Sequence, residues 1–178
     1  MADSTPSWGA GSRVAGHAAL EDIKTFSVSA ELRRVRQPDH RLAYQFEPEY
    51  EAGRPTPDVL IADGNFRLIV GEVPEDTEPD EAGVVDPKEA LAEIRFNISA
   101  LYVLRLPTSE TGGEFTEEEL NAFANSSAQF ALYPYARALV ADLVAKLGLP
   151  TLTLPTLSFD VAQVRDDQPS IEAGEAAR

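Results

Sequence analysis

Two histidines, no cysteine and a run of six carboxylates are the chain's raw material for chemistry. An imidazole at His17 or His40 could move a proton near neutral pH or bind a metal. The carboxylates Glu72, Glu75, Asp76, Glu78, Asp80 and Glu81 could hold a hard cation. Their settings favour neither use. His17 falls in a tail or short helix, and His40 in a Gln-Pro-Asp-His-Arg turn that reads as solvated. The acidic run lacks the regular acidic positions and the glycine of a calcium loop, and Pro74 and Pro79 interrupt it. It reads as a solvated loop over 72–88, serving either as an electrostatic docking site or as a plain linker. There is no glycine-rich phosphate loop, nucleophile elbow or paired metal-ligand spacing, and the lack of cysteine excludes thiol catalysis and cysteine zinc sites. The expectation is a non-enzyme with no cofactor and no metal. Asn97-Ile98-Ser99 and Asn125-Ser126-Ser127 match the glycosylation pattern, which carries meaning only under secretion. Arg33-Arg34-Val35-Arg36 is a small basic cluster at a strand end, suited to balancing the acidic loop rather than to nucleic acid.

The elements that would position these groups must come from one domain. The 178 residues are 43% hydrophobic and 25% charged, ordinary globular usage for a single unit spanning 1–178. Thirty acidic against fifteen basic side chains give a net charge of −15, which repels a phosphate backbone and an anionic membrane face. The N-terminus has no basic segment leading into an apolar run, and no stretch approaches the roughly 20 apolar residues that span a bilayer. A cytoplasmic protein is expected, with no nucleic-acid partner and no membrane insertion. Residues 1–12 and 166–178 read as tails, leaving an ordered core of about 14–165.

Period-two alternation marks the strands. Phe26, Val28, Ala30 and Leu32 alternate with Ser27, Ser29, Glu31 and Arg33, the pattern of a half-buried strand. Leu42, Tyr44 and Phe46 alternate with Ala43, Gln45 and Glu47 before Pro48 and the Gly53–Pro57 turn cluster. Phe66, Leu68 and Val70 come next, after an Asp63-Gly64 step that reads as a bend or bulge. From Glu89, Ile94, Phe96, Ile98, Ala100, Tyr102 and Leu104 alternate with Glu93, Arg95, Asn97 and Ser99, which predicts the longest strand.

A helix is announced by Thr116 as N-cap, with Glu119 placed to close a capping box and acid in the first turn to meet the helix dipole. Pro134 either kinks one long helix or opens a second. Leu132, Tyr135, Ala136, Leu139, Val140, Leu143, Val144 and Leu147 form a core stripe at helical spacing, and Gly148 stops it. Beside the stripe runs a row of small residues, Ala138, Ala141 and Ala145. It suits close approach of another subunit's helix, and equally an indifferent exposed face filled with a good helix former. The segment Gly-Leu-Pro-Thr-Leu-Thr-Leu-Pro-Thr-Leu-Ser-Phe-Asp over 148–160 sets Leu149, Leu152, Leu154, Leu157 and Phe159 among prolines that no central strand accepts. These side chains must pack from an extended loop lying over other structure, either leaving a groove beside it or plugging the open face of the sheet.

The stretch from Phe130 to Asp160 resembles the signature region of the SecB family of export chaperones. The shared features are Tyr133-Pro134-Tyr135-Ala136-Arg137, then Gly148-Leu149-Pro150, then Leu152, Leu154 and Pro155, then Phe159-Asp160. The resemblance implies an α+β fold, a four-stranded antiparallel sheet with a long helix packed on one side, assembled as a dimer of dimers. It implies an ATP-independent holdase for unfolded preproteins, or a dedicated chaperone of a labile antitoxin. By analogy Leu149, Leu152, Leu154, Leu157 and Phe159 line a client groove, with Phe26, Val28 and Phe46 contributed by the sheet. Ala138, Ala141 and Ala145 become interface positions. Export members present acidic residues to the motor SecA on the outward sheet face; here Glu31 fits one such position, while the other falls on Ser27. An adaptor that binds one folded partner through the same groove is the rival reading.

Overall fold

The structure, a computed structural model, describes residues 8–74, 85–105 and 115–157. Helix α1 (Trp8–Ala15) is followed by four strands, β1 (Ala18–Leu32), β2 (His40–Thr56), β3 (Val59–Pro74) and β4 (Ala92–Leu104). The chain then turns helical through α2 (Glu117–Phe123), a π-helical turn (Ala124–Ala128) and α3 (Gln129–Lys146). The strands form one antiparallel sheet in the order β1-β4-β3-β2; the four-stranded antiparallel arrangement is the one the family resemblance implies. The longest strand is β2, with 17 residues, because β4 starts only at Ala92: residues 85–91 fold as turns, and Arg33 and Leu91 backbone bonds bridge them to the sheet. The expected tail up to residue 12 is interrupted by α1, which packs on α2. Gly11 permits that contact, since a Cβ there would lie 2.8 Å from the Phe123 amide nitrogen.

The helical side is built as its local signals require. Thr116 Oγ1 accepts from the Glu119 amide at 3.2 Å and Glu119 Oε2 accepts from the Thr116 amide at 2.8 Å, completing the capping box. Pro134 sits inside α3 and does not open a new helix. Upstream, the π turn absorbs one extra residue per turn, and Ser126 donates to the Ala122 carbonyl at 2.6 Å within it. Gly148 closes the helix with φ of 71°, a conformation that favours glycine.

Cross-strand rows show which part of the sheet the helices cover. Phe46, Leu68, Ile94 and Ala30 lie side by side across β2, β3, β4 and β1; Pro48, Phe66, Phe96 and Val28 form the next row. The β3 and β4 members are buried, whereas Ala30 and Val28 on β1 are exposed. The alternation of β1 is therefore real, but the strand is not half-buried within this chain. Two further expectations are corrected. Register shifts fall at Leu20/Asp22 and Thr25/Ser27, so Phe26 is the extra residue of a bulge. It lines a shallow cavity of about 130 Å³ with Lys24, Ile61 and Leu101 on the face opposite the helices, and so does not share a face with Val28. At Asp63-Gly64 the register is continuous; Gly64 is needed because a Cβ would lie 2.6 Å from the Phe66 ring.

Candidate functional site

Beyond Gly148 the chain crosses back over the helix-covered face of the sheet. Leu149 and Leu154 are sunk into the core, while Leu152 and Leu157 are half-buried against it. Burying alternate leucines fixes the loop and leaves the others at the surface. Two side chains of α3 tie it down: the Tyr133 hydroxyl donates to the Pro155 carbonyl at 2.7 Å, and Arg137 Nη1 donates to Thr156 Oγ1 at 3.2 Å. Burial pushes the Tyr133 hydroxyl above its ordinary pKa against the opposing pull of Arg137, so it stays a donor at all physiological pH.

Between this loop, the end of α3 and β2 lies a cleft of about 280 Å³ lined by Arg36, Arg41, Leu42, Tyr44, Val70, Val144, Pro150, Thr151 and Leu152. Beside it an aromatic cluster supports the wall. Phe46 stacks on Phe66 at 5.9 Å and meets Tyr133 edge-on at 6.2 Å; Phe66 stacks on Phe96 at 4.9 Å and meets Tyr50 at 5.6 Å. Burial pushes the Tyr50 hydroxyl up to about 12. The lining offers apolar area, an aromatic face and a few donors, which suit an extended chain laid along it. Among the described residues no group of His, Asp and Glu is arranged to hold a metal, and no helix is long and apolar enough to cross a membrane.

The residues singled out from sequence are partly brought together. Leu152 lines the cleft, Leu157 lies farther along the same loop, and Phe46 stands behind it. Leu149 and Leu154 anchor the loop from the core rather than offering surface. Val28 faces the helix side but lies on β1, at the far edge of the sheet from β2. Phe26 is on the other face, and Phe159 lies outside the described residues, as do most of the acidic loop and the tail 166–178. Ala138 and Ala145 are exposed and Ala141 is half-buried; in the stripe, Tyr135 is exposed and Tyr133 takes its place in the core. Tyr44 and Val144 had the right periodicity to be found; the roles of Tyr133 and Arg137 as loop anchors had no signal beyond their place in the motif.

The opposite face of the sheet carries a charged lattice centred on Glu93, apart from the apolar patch of Phe26, Ile61 and Leu101. Glu93, 5% exposed, accepts from Arg67 Nε at 2.7 Å and from Arg95 Nη2 at 2.5 Å, and also pairs with Arg33. Burial works to raise its carboxyl, yet the three guanidiniums hold it below the usual range. Glu31 is exposed and paired with Arg33 Nε at 3.1 Å.

No protein-family model matches the chain. Individual relatives do. The SecB-like chaperone Rv1957 of Mycobacterium tuberculosis (strain ATCC 25618 / H37Rv) is 34% identical over 150 residues, 83% of this chain and 82% of the relative. The Protein-export protein SecB of Nitrosococcus oceani is 39% identical over 62 residues, 35% of this chain and 38% of the relative. Among solved structures, the Mycobacterium tuberculosis Rv1957 SecB-like chaperone in complex with a ChAD peptide from the Rv1956 HigA1 antitoxin superposes with a TM-score of 0.66 at 31% identity, covering 85% of this chain and 98% of that one. With the four-stranded sheet, the long helix and the leucine-proline crossover in place, this similarity along most of both chains makes the protein a member of the SecB-like chaperone family.

Proposed function

We propose that the protein is an ATP-independent, non-enzymatic holdase of the cytoplasm that keeps a non-native segment, foremost that of an antitoxin, in the cleft between β2, α3 and the crossover loop. The observation that carries this is the cleft itself: apolar side chains at the surface on a loop pinned from beneath by Leu149, Leu154 and the Tyr133 hydroxyl. A covered client segment gains from burying apolar area on both sides, and a net charge of −15 keeps the loaded particle soluble. The related Rv1957 chaperone bound to an antitoxin peptide supports the antitoxin branch. At the positions compared with the SecA-docking face, Glu31 is paired to Arg33 and the second is Ser27, which favours the antitoxin branch over export.

The working assembly is a homotetramer, a dimer of dimers. Exposed Val28 and Leu32 on the edge strand β1, and the small row Ala138, Ala141 and Ala145, are the surfaces a second copy would cover. Aggregation of two unrelated denatured proteins, followed by light scattering without nucleotide, tests the function. Suppression of both by a tetramer-sized particle establishes a general holdase. Failure with both, with saturable binding of a single antitoxin segment, establishes a dedicated adaptor; failure of all three rejects the cleft as a client site.

A further inference from the structure

The segment joining β1 to β2 spans the sheet. Because those strands lie at opposite edges, residues 33–39 cross the ends of β4 and β3, a distance of about 14 Å. Every residue of the crossing is exposed, so its path is set by polar ties rather than by core packing. The Arg33 amide donates to the Leu91 carbonyl at 2.8 Å, Arg33 Nη1 to the Pro87 carbonyl at 2.7 Å and Arg34 Nη2 to the Glu89 carbonyl at 2.8 Å. Toward β2 the ties converge on one side chain: Glu72 Oε1 accepts from the Gln37 amide at 2.6 Å, and Glu72 Oε2 lies 3.6 Å from Arg34 Nη1. Arg36, which lines the client cleft with Leu42, sits between the two tied residues.

Glu72 is out of keeping with its surroundings. It stands opposite Leu42, next along from the Tyr44–Val70 pair of the cleft floor, and its side chain is 1% exposed. Stability alone does not call for a carboxylate there. Burying one costs free energy, and well-packed apolar residues in place of a buried ion pair are often neutral or stabilising. Among the described residues Oε2 accepts no hydrogen bond, so the charge is incompletely compensated. What the carboxylate supplies is a fixed position for the crossing. Resting on the holdase reading above, we propose that Glu72 is the positioning residue of the client cleft: by holding Gln37 and Arg34 it sets the rim that Arg36 presents beside Leu42. A client entering a cleft with a fixed rim does not have to order the crossing, and preorganisation of this kind appears directly as affinity.

Two variants separate this role from plain stability. Glu72→Met removes both ties while keeping the site filled, and Glu72→Gln keeps an acceptor for the Gln37 amide without the charge. A labelled peptide of alternating leucine and serine is titrated into each full-length protein by fluorescence anisotropy, beside urea unfolding and hydrogen exchange of residues 33–40. Glu72→Met should keep or raise overall stability, speed exchange in the crossing and weaken peptide binding about tenfold, the order of one hydrogen bond to a charged group. Glu72→Gln should restore most of the protection and most of the affinity. Peptide affinity unchanged in Glu72→Met overturns the proposal, and so does weaker binding without faster exchange in the crossing. Should Glu72→Met fail to fold, Arg34→Gln cuts the Arg34 ties at a 43% exposed side chain and should speed the same exchange and weaken binding about threefold; unchanged binding there overturns the positioning role. An unaltered chain that does not bind the peptide overturns the client cleft, and the role of Glu72 falls with it.

Discussion

The two flanks of one sheet face carry the same apolar alternation and meet different fates. On the β2 flank, Phe46 and Leu42 are half-buried beneath the crossover loop and α3; on the β1 flank, Val28 and Leu32 stay 47% and 44% exposed. Between them, Leu68 and Ile94 in the row of Phe46, and Phe66 and Phe96 in the row of Val28, are buried. The difference lies in the cover and not in the strands. One flank is closed by the segment that follows α3, with the cleft beside it, and the other is left uncovered within this chain.

The sharpest way to break this contrast is a charge beneath the loop. Leu154 is fully buried, so Leu154→Glu places a carboxylate in the core without a counter-charge and should cost about 4 kcal/mol or more in urea unfolding. Leu152→Glu, at the half-buried cleft wall, should cost less than about 1.5 kcal/mol while removing client binding. Similar losses of stability in both would mean that the loop is plain core and the cleft incidental. On the other flank, Val28→Asp combined with Leu32→Asp should leave each chain folded and raise the subunit dissociation constant at least tenfold, about 1.4 kcal/mol, by analytical ultracentrifugation. Unchanged assembly would remove β1 from the interface. A smaller effect is expected at the anchor: Tyr133→Phe deletes the bond to the Pro155 carbonyl and should lower stability by about 1 kcal/mol and loosen client binding, read by unfolding and anisotropy.

How far the sequence carried these flanks depends on the range of the force involved. Strand alternation, the Thr116 capping box and the Gly148 stop are local, and each forms where its residues indicated. The bulge at Phe26 left no local trace: Phe26-Ser27-Val28 alternates perfectly on paper, and only pairing with β4 reveals the extra residue. Asp63-Gly64 misled in the opposite sense, since its glycine answers to the Phe66 ring rather than to a bend. In the site, leucine-proline composition located the loop but could not say which leucines sink, because that depends on how the loop lies over β3 and α3. Arg36 reads, within the 33–36 cluster, as a counterweight to the acidic loop, and only the turn geometry brings it to Leu42 and Leu152.

The smallest expected effect tests how firmly the helical cover is held where it begins. Glu119 sits in the capping box of α2 and pairs with Arg13 of α1, Nε to Oε1 at 2.5 Å and Nη2 to Oε2 at 2.6 Å. The Arg13 guanidinium, with the Thr116 amide, holds the Glu119 carboxyl down to about 2, against an ordinary value of 4.5. A folded-state pKa below the unfolded one stabilises above the unfolded value, and that stability is lost as the pH falls from about 4.5 toward 2. Because the pair is partly solvated, about 0.5–1 kcal/mol is expected instead of the full linkage value. Glu119→Gln should therefore lower stability by that amount at pH 7 and reduce the loss between pH 4.5 and 2, measured by urea unfolding at each pH. An identical acid slope in the variant would show that α1 adds nothing electrostatic to the helical cover, leaving the Gly11 contact to hold it by packing alone.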